Sequence, residues 1–282
     1  MQNIAAEKKQ ARELEQERIY EQTAVRLNKD LFARLPVVEP TSYMKAKGIT
    51  PQKGVYTDGE GLETIIPAID AKGKQWTVQY VHPDGTKRFA KDSRKEGCFH
   101  AIGGLDALAK APVLVIGEGY ATASSLSQVL GYSTVAAFDS GNVSCVARDL
   151  HEKFPDKAVV IAGDDDRHLE MTLGYNPGRK KAEEAAKAVG GISVFPVFEH
   201  GEQTYPSELD RVTPEQYRNK TISDQQAAAL EKMKQFTDFN DLSEKSVLGK
   251  DGLLRQVSSA IDEAIEKKNS HARENQKEFD KQ

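Results

Sequence analysis

Four short runs rich in apolar and β-branched residues constrain the fold of this chain more than any other feature. They are PVLVIG from residue 112, STVAAF from 133, AVVIAG from 158 and ISVFPVF from 192. Runs of this kind are typical of strands buried on both faces. Helical patterns separate them, and this alternation predicts an α/β fold in which a parallel sheet is sandwiched by helices, with right-handed crossovers.

The chain around this core divides into regions of different composition. Residues 1–34 contain no Gly or Pro and predict a charged helix or linker. Residues 35–110 hold short β-branched and aromatic runs separated by turns, which predict a small β-rich subdomain. Residues 111–245 are expected to form the α/β domain, with a polar insertion at about 201–235. Residues 246–282 predict a C-terminal helix and a charged tail.

Charge and cysteine content exclude several classes of protein. There are 39 Lys and Arg against 43 Asp and Glu, a net charge of −4, which excludes a surface that is basic all over but not a local basic patch. Cys98 and Cys145 are the only cysteines, so a disulfide framework and a four-cysteine zinc site are excluded, and we expect no zinc. No apolar run approaches the ~20 residues of a membrane span. We therefore expect a cytoplasmic protein that does not bind membranes.

Carboxylates close the first and third of these strands, at Glu118 and at Asp164, Asp165 and Asp166. Because parallel strands end at one edge of a sheet, Glu118 should lie near the aspartates. Alternation along the chain places Asp164 and Asp166 on one side and Asp165 on the other. Crowded carboxylates favour a bound cation, and oxygen ligands favour Mg²⁺ or Mn²⁺. We expect Glu118, Asp164 and Asp166 to be catalytic and to bind metal; an acidic turn that merely caps the strand is the alternative.

Basic residues are concentrated at two places, and both suit the phosphates of a nucleotide or of DNA. The alternative for each is an ordinary solvated surface. The candidates are Lys87, Arg88 and Lys91 in the β-rich region and Arg179 and Lys180 at a predicted helix start.

Four further polar residues follow the second and third strands and so belong to the same edge of the sheet. We assign them a supporting role. They are Asp139, Asn142, Asp165 and His168.

Three motifs occur in order along the α/β region: GEGYATA from residue 117, AGDDD from 162 and NPGRKKAEEAA from 176. A strand that ends in Glu-Gly before a helix, followed by a strand that ends in Asp-x-Asp, resembles the TOPRIM domain of bacterial primases, topoisomerases and some nucleases. TDFNDL at 237–242 resembles the closing segment of plasmid and phage primases. Residues 65–104 are similar to the small β-rich subdomain that precedes this domain in primases of conjugative plasmids and mobile elements.

The resemblance implies that Glu118 is the acid/base residue and that Asp164 and Asp166 bind metal. It also implies the catalytic core of a DNA primase, a nucleotidyltransferase that makes short primers on single-stranded DNA from nucleoside triphosphates, with Mg²⁺ or Mn²⁺. Its setting would be plasmid or mobile-element replication and conjugation, with a helicase or relaxase as a further partner. Two alternatives stay open: a TOPRIM-type metal-dependent nuclease, and a non-catalytic accessory factor that binds single-stranded DNA.

Overall fold

Two five-stranded sheets organise the chain. The computed structural model describes the backbone of residues 2–279 and, within that range, the side chains of residues 6–270, 272 and 273. The first sheet is antiparallel, and its strands lie side by side in chain order. Its strands are β1 (Leu35–Pro36), β2 (Tyr56–Thr57), β3 (Thr64–Ile69), β4 (Gln75–Val81) and β5 (Lys87–Phe89).

Asp70 shapes the turn between β3 and β4. Its Oδ1 accepts hydrogen bonds from the backbone N–H groups of Lys72 and Lys74, and its Oδ2 accepts one from Trp76 Nε1 at 2.8 Å. Gly73 adopts a φ of +89° in this turn, a conformation that favours glycine.

Helix α1 (Gln2–Leu31) packs on β4, and α2 (Ser42–Ala46) precedes β2.

The second sheet has the order β10-β9-β7-β8-β6. Strands β7 to β10 are parallel, which confirms the predicted α/β fold, whereas the edge strand β6 pairs with β8 in the antiparallel direction. Strand β6 comes from the region assigned by sequence to the β-rich subdomain, so that region contributes to both sheets. The strands are β6 (His100–Ala101), β7 (Val113–Gly117), β8 (Val135–Ala136), β9 (Ala158–Ala162) and β10 (Ile192–Val194).

Helices cover both faces of this sheet. Alternate residues of β7 point to opposite sides: Leu114 packs with α5 and α7, and Val115 packs with α4, α10 and α11. No helix in the described part of the chain is both long and apolar enough to cross a membrane. The helices are α3 (Leu105–Lys110), α4 (Tyr120–Leu130), α5 (Ser140–Lys153), α6 (Arg167–Leu173), α7 (Pro177–Ala188), α8 (Pro214–Arg218), α9 (Asp224–Met233), α10 (Phe239–Glu244) and α11 (Gly249–Phe279).

Helix α11 is part of the core rather than an appendage. It packs against β9 and β10, and its Leu253 and Val257 side chains are fully buried. The residues predicted to form a charged tail continue this helix as far as Phe279, and residues 280–282 lie outside the described part of the chain.

The polar insertion contains two short helices, α8 and α9. Each begins with a capping box, formed by Thr213 and Gln216 in α8 and by Ser223 and Gln226 in α9. Met233 and two other apolar residues of this region are buried in a small cluster of their own. The insertion is therefore folded against α6 rather than extended over the surface.

Asn142 ties the loop before β6 to the end of β8. Its side chain is buried, and Oδ1 accepts a hydrogen bond from the backbone N–H of Gly97 at 2.9 Å. Its Nδ2 donates to the carbonyl oxygens of Cys98 and Ala137, both at 2.8 Å. The role predicted for Asn142 at the site stays a prediction, and in the structure this side chain joins two segments of backbone.

We predict that Asn142→Ala lowers the free energy of unfolding by about 2–3 kcal/mol, because three buried backbone groups lose their partner. Urea denaturation followed by circular dichroism measures this change. Asn219→Ala, at an exposed helix end, is the matched control and should change the free energy by less than about 0.5 kcal/mol. Equal effects in the two variants would contradict the linking role of Asn142.

Candidate active site

Carboxylates meet at the carboxyl edge of the parallel sheet, as the sequence predicts. Glu118 follows β7, and Asp164 and Asp166 follow β9. These two strands pair directly, with Gly117 opposite Ala162, so Glu118 and Asp164 leave neighbouring strand ends. We call Glu118, Asp164 and Asp166 the acidic cluster. Each of its side chains is partly buried.

The acidic cluster resists ionisation. Burial, followed by the charge of Asp166, raises the pKa of Glu118 to about 7. Burial and the charge of Glu118 hold the pKa of Asp164 well above its usual range. Burial also raises the pKa of Asp166, against the opposing effects of His168 and of the Gly178 N–H. Such shifts arise where carboxylates are crowded and poorly compensated.

Segment 237–242 adds two aspartates that the sequence reasoning did not assign to the site. Asp238 caps α10, and its charge raises the pKa of both Asp164 and Glu118. Burial and the charge of Asp241 raise the pKa of Asp238 itself. Asp241 pairs with Lys245 at 2.8 Å. The available signal was the pair of acidic residues in TDFNDL, but the sequence does not reveal how the preceding insertion folds.

Asn240 fixes this segment against two other parts of the chain. Its Nδ2 donates to the Lys47 carbonyl oxygen at 2.7 Å and to Ser125 Oγ at 2.9 Å. Lys47 lies after α2, and Ser125 lies in α4. Helix α10 is therefore held by the N-terminal region and by the helix that follows Glu118.

Asp165 points away from the acidic cluster, as alternation along the chain predicts. Its side chain is fully buried and accepts three hydrogen bonds. The donors are Arg179 Nε at 2.9 Å, Arg167 Nε at 2.8 Å and Asn176 Nδ2 at 2.8 Å. Burial alone would raise the pKa of Asp165, but hydrogen bonds and charge from the two arginines keep this pKa below its usual value. Its supporting role stays a prediction, and the contacts show how it anchors the loop after β9.

The start of α7 abuts the same loop. Asn176 Oδ1 accepts hydrogen bonds from the backbone N–H groups of Asp166 at 3.2 Å and Arg179 at 3.1 Å. The Gly178 N–H donates to Asp166 Oδ2 at 3.2 Å. A Cβ at residue 178 would lie 2.5 Å from the Asp164 carbonyl oxygen, so only glycine fits this approach.

The basic candidates occupy different surroundings. Lys87 and Phe89 share one face of β5, and Arg88 lies on the other. The Phe89 ring lies 5.3 Å from that of Phe138, which places this face toward the second sheet. Burial of its ammonium and the charge of Lys47 lower the pKa of Lys87, against the carboxylates of Asp238, Asp164 and Glu118. The charges of the acidic cluster therefore act on Lys87, although the residue as a whole is exposed.

Arg179 donates both Nε and Nη2 to Asp165, and its guanidinium lies 4.3 Å from the Phe195 ring centroid. Lys91 and Lys180 are exposed. A nucleotide- or DNA-binding role stays a prediction for Lys87, Arg88, Lys91, Arg179 and Lys180.

Two supporting candidates have defined contacts. Asp139 caps α5 and pairs with Lys95 Nζ at 2.6 Å. His168 lies near Asp166, and burial lowers its pKa although the charge of Asp166 opposes this effect. Their functional roles remain predictions.

Comparison with known proteins identifies the α/β region. Residues 113–204 match the family described as Toprim domain. Two Escherichia coli proteins named DNA primase TraC are 55% and 51% identical over 94% and 96% of this chain. The predicted resemblance to TOPRIM-domain primases is thus confirmed. The chain spans 28% and 21% of the length of these relatives.

Two solved structures also overlap with the chain. The catalytic domain of DnaG primase, solved bound to single-stranded DNA, is 15% identical with a TM-score of 0.41, over 77% of this chain and 82% of that one. The primase fragment of the bacteriophage T7 primase-helicase is 13% identical with a TM-score of 0.38, over 68% of each chain.

The acidic cluster suits a hard divalent cation. Asp164 Oδ1 is buried and has no hydrogen-bond partner among the described residues. In that same part of the chain, no group of three or more His, Cys, Asp or Glu side chains is arranged to hold a metal ion by itself. Mg²⁺ commonly takes only one or two protein carboxylates and completes its shell with water and substrate phosphates. The donor set therefore fits Mg²⁺ or Mn²⁺ bound together with a phosphate.

We predict that Asp165→Asn destabilises the α/β domain by about 2–3 kcal/mol, because Arg167 and Arg179 lose a buried partner but remain partly solvated. Urea denaturation measures the change. The exposed Asp156 provides the control Asp156→Asn, which should leave the free energy of unfolding nearly unchanged. A small effect of Asp165→Asn would show that the loop after β9 is held by other contacts.

We predict that the metal-free chain loses stability as pH rises from about 4, the usual carboxylate value, through the pKa of about 7 at Glu118. The free energy of unfolding falls with rising pH because raised carboxyl pKa values mean that the folded chain binds protons more tightly than the unfolded chain. In EDTA the Tm should therefore be higher at pH 5.5 than at pH 8. Asp165, with a lowered pKa, titrates below this window.

The same experiment tests the metal assignment. Asp164→Asn removes one of the crowded charges, so it should reduce the fall in Tm between the two pH values. Mg²⁺ at pH 8 should raise the Tm of the wild-type chain more than that of Asp164→Asn. Asp156→Asn should behave like the wild type. An identical pH dependence and Mg²⁺ response in all three proteins would contradict the metal assignment.

Proposed function

We propose that this chain is the catalytic core of a DNA primase, a nucleotidyltransferase that joins nucleoside triphosphates into short primers on single-stranded DNA. The observation that carries the proposal is the 55% and 51% identity to two proteins named DNA primase TraC, which extends over nearly the whole chain. The proposed setting is the cytoplasmic replication or conjugative transfer of a plasmid or mobile element, with a helicase or relaxase as a partner.

The acidic cluster supplies the proposed chemistry. Asp164 and Asp166, with Glu118 and Asp238 beside them, would hold Mg²⁺ or Mn²⁺. A divalent cation held there would supply the charge that offsets the triphosphate and its leaving pyrophosphate. Glu118 has a pKa of about 7, which suits a group that accepts the proton of the attacking 3′-hydroxyl at neutral pH.

Cations border the acidic cluster on the side of the first sheet. Lys87 extends from β5 toward the carboxylates, and Lys47 lies 3.7 Å from Asp241 Oδ1. We propose that Lys87 contacts the phosphates of a nucleotide or of the template, because charge attracts a phosphate backbone regardless of sequence. Arg88 lies on the opposite face of β5, so it would contact a different part of the nucleic acid.

The cost of the acidic cluster argues against a purely accessory factor. Buried carboxylates with raised pKa values destabilise the folded chain at neutral pH unless a cation offsets their repulsion. A protein that only held single-stranded DNA would gain nothing from this arrangement. A metal-dependent nuclease could use the same carboxylates, so the decisive observation is incorporation of nucleotides rather than cleavage.

We predict that the chain incorporates labelled nucleotides into short oligomers on single-stranded DNA with Mg²⁺ or Mn²⁺. Glu118→Gln and Asp164→Asn should each reduce incorporation by at least about 100-fold, because the proton acceptor or a metal ligand is lost. Asp156→Asn should retain full incorporation. A shortened template without incorporation would identify a nuclease, and equal activity in all variants would contradict the assigned site.

A further inference from the structure

A cavity of about 760 Å³ lies beside the acidic cluster, between α6 and the polar insertion. Its volume is within the range of small-molecule sites, roughly 300–1,000 Å³. Arg167 is part of its wall and follows Asp166 directly in the chain. No residue of the acidic cluster lines it, so the cavity is a separate site that adjoins the proposed active site.

The cavity presents two guanidinium groups. Arg167 donates Nε to Asp165, which fixes the direction of the side chain, while its Nη atoms have no hydrogen-bond partner among the described residues. Arg211 lies on the exposed rim and has no ion pair within the same part of the chain. Glu170 is the one acidic residue among the lining side chains. The lining therefore carries a net positive charge and guanidinium donors, which suit a phosphate.

The rest of the cavity has an apolar floor. Met233 and Val212 are buried in the small cluster of the insertion, and Met171 and Tyr205 pack against them from the cavity side. Tyr205 donates its hydroxyl to the Asp210 carbonyl oxygen at 3.0 Å, which fixes the ring. Rings and flexible thioethers of this kind suit the face of a base.

We propose that this cavity binds a nucleotide, with its phosphates at Arg167 and Arg211 and its base on the apolar floor. The choice of a nucleotide, rather than another amphipathic anion, rests on the proposed primer synthesis. The same chemistry is presented by a free nucleoside triphosphate and by the 5′-phosphorylated end of a strand. In either case the ligand would sit at Arg167, which directly follows Asp166 in the chain.

Binding measured without metal separates this cavity from the acidic cluster. We would titrate the full chain in EDTA with ATP, with adenosine and with a short 5′-phosphorylated oligothymidylate, using isothermal calorimetry. Arg211→Ala should weaken binding by about tenfold or more, the effect of losing a charge-assisted hydrogen bond. Arg218→Ala removes an exposed arginine of the same insertion outside the cavity and should change the affinity less than twofold.

A second variant distinguishes loss of the cavity from misfolding and from a long-range effect of the lost charge. Ser207→Trp places a large side chain on the exposed rim, leaves the charge unchanged and should block the cavity. Circular dichroism checks that each variant is folded. Arg167 is left intact because its removal would also deprive Asp165 of a partner.

The outcomes are distinct. ATP binding that falls in both variants, with adenosine much weaker than ATP, supports a site for a free nucleotide. Binding of the phosphorylated strand but not of ATP, with the same two losses, supports a site for a strand end. Binding of neither ligand, or unchanged binding in Arg211→Ala and Ser207→Trp, overturns the proposal. Primer synthesis by the wild-type chain with Mg²⁺ is scored separately, so failure of the cavity and failure of the proposed function are distinguishable.

Discussion

The buried carboxylate of Asp165 is the interaction on which the candidate site depends. Two arginines and Asn176 surround it, and together they fix the loop after β9 to the start of α7. Because side chains alternate along this loop, anchoring Asp165 on one side directs Asp164 and Asp166 to the other. The three consecutive aspartates thus have different surroundings. The Asp165 carboxylate is paired within the fold, whereas those of Asp164 and Asp166 belong to the acidic cluster.

The carboxylates of the acidic cluster differ from that of Asp165 because they lack such cationic partners within the described part of the chain. Asp165 is held ionised by cations within hydrogen-bond distance, whereas burial and mutual repulsion raise the pKa values of Glu118 and Asp164. The repulsion arises because the strands that these carboxylates follow are direct neighbours in the sheet. This is the arrangement expected of a surface that gains its stability from a ligand rather than from its own contacts.

Much of the fold and part of the site were predictable. Buried strands and the residues that close them are visible as local patterns, which is why the sequence places Glu118 and the aspartates at one edge of the sheet; their role stays a prediction. Asp238 was missed because its approach depends on the folding of the polar insertion, which no periodicity reveals. The sequence could show that Arg179 lies in the first turn of a helix. It could not show that the Arg179 guanidinium donates hydrogen bonds to Asp165. The antiparallel edge strand His100–Ala101 is equally unpredictable, since a two-residue strand has no period.

Asn240 couples the N-terminal region, α4 and α10 through a single side-chain amide. The match to the TOPRIM family ends at residue 204, and Asp238 lies beyond it. The charge of Asp238 nevertheless raises the pKa of both Glu118 and Asp164. During translation these carboxylates leave the ribosome at different times. Because α11 also packs against β9 and β10, the sheet and the carboxylates at its strand ends are completed together, only after α11 has left the ribosome.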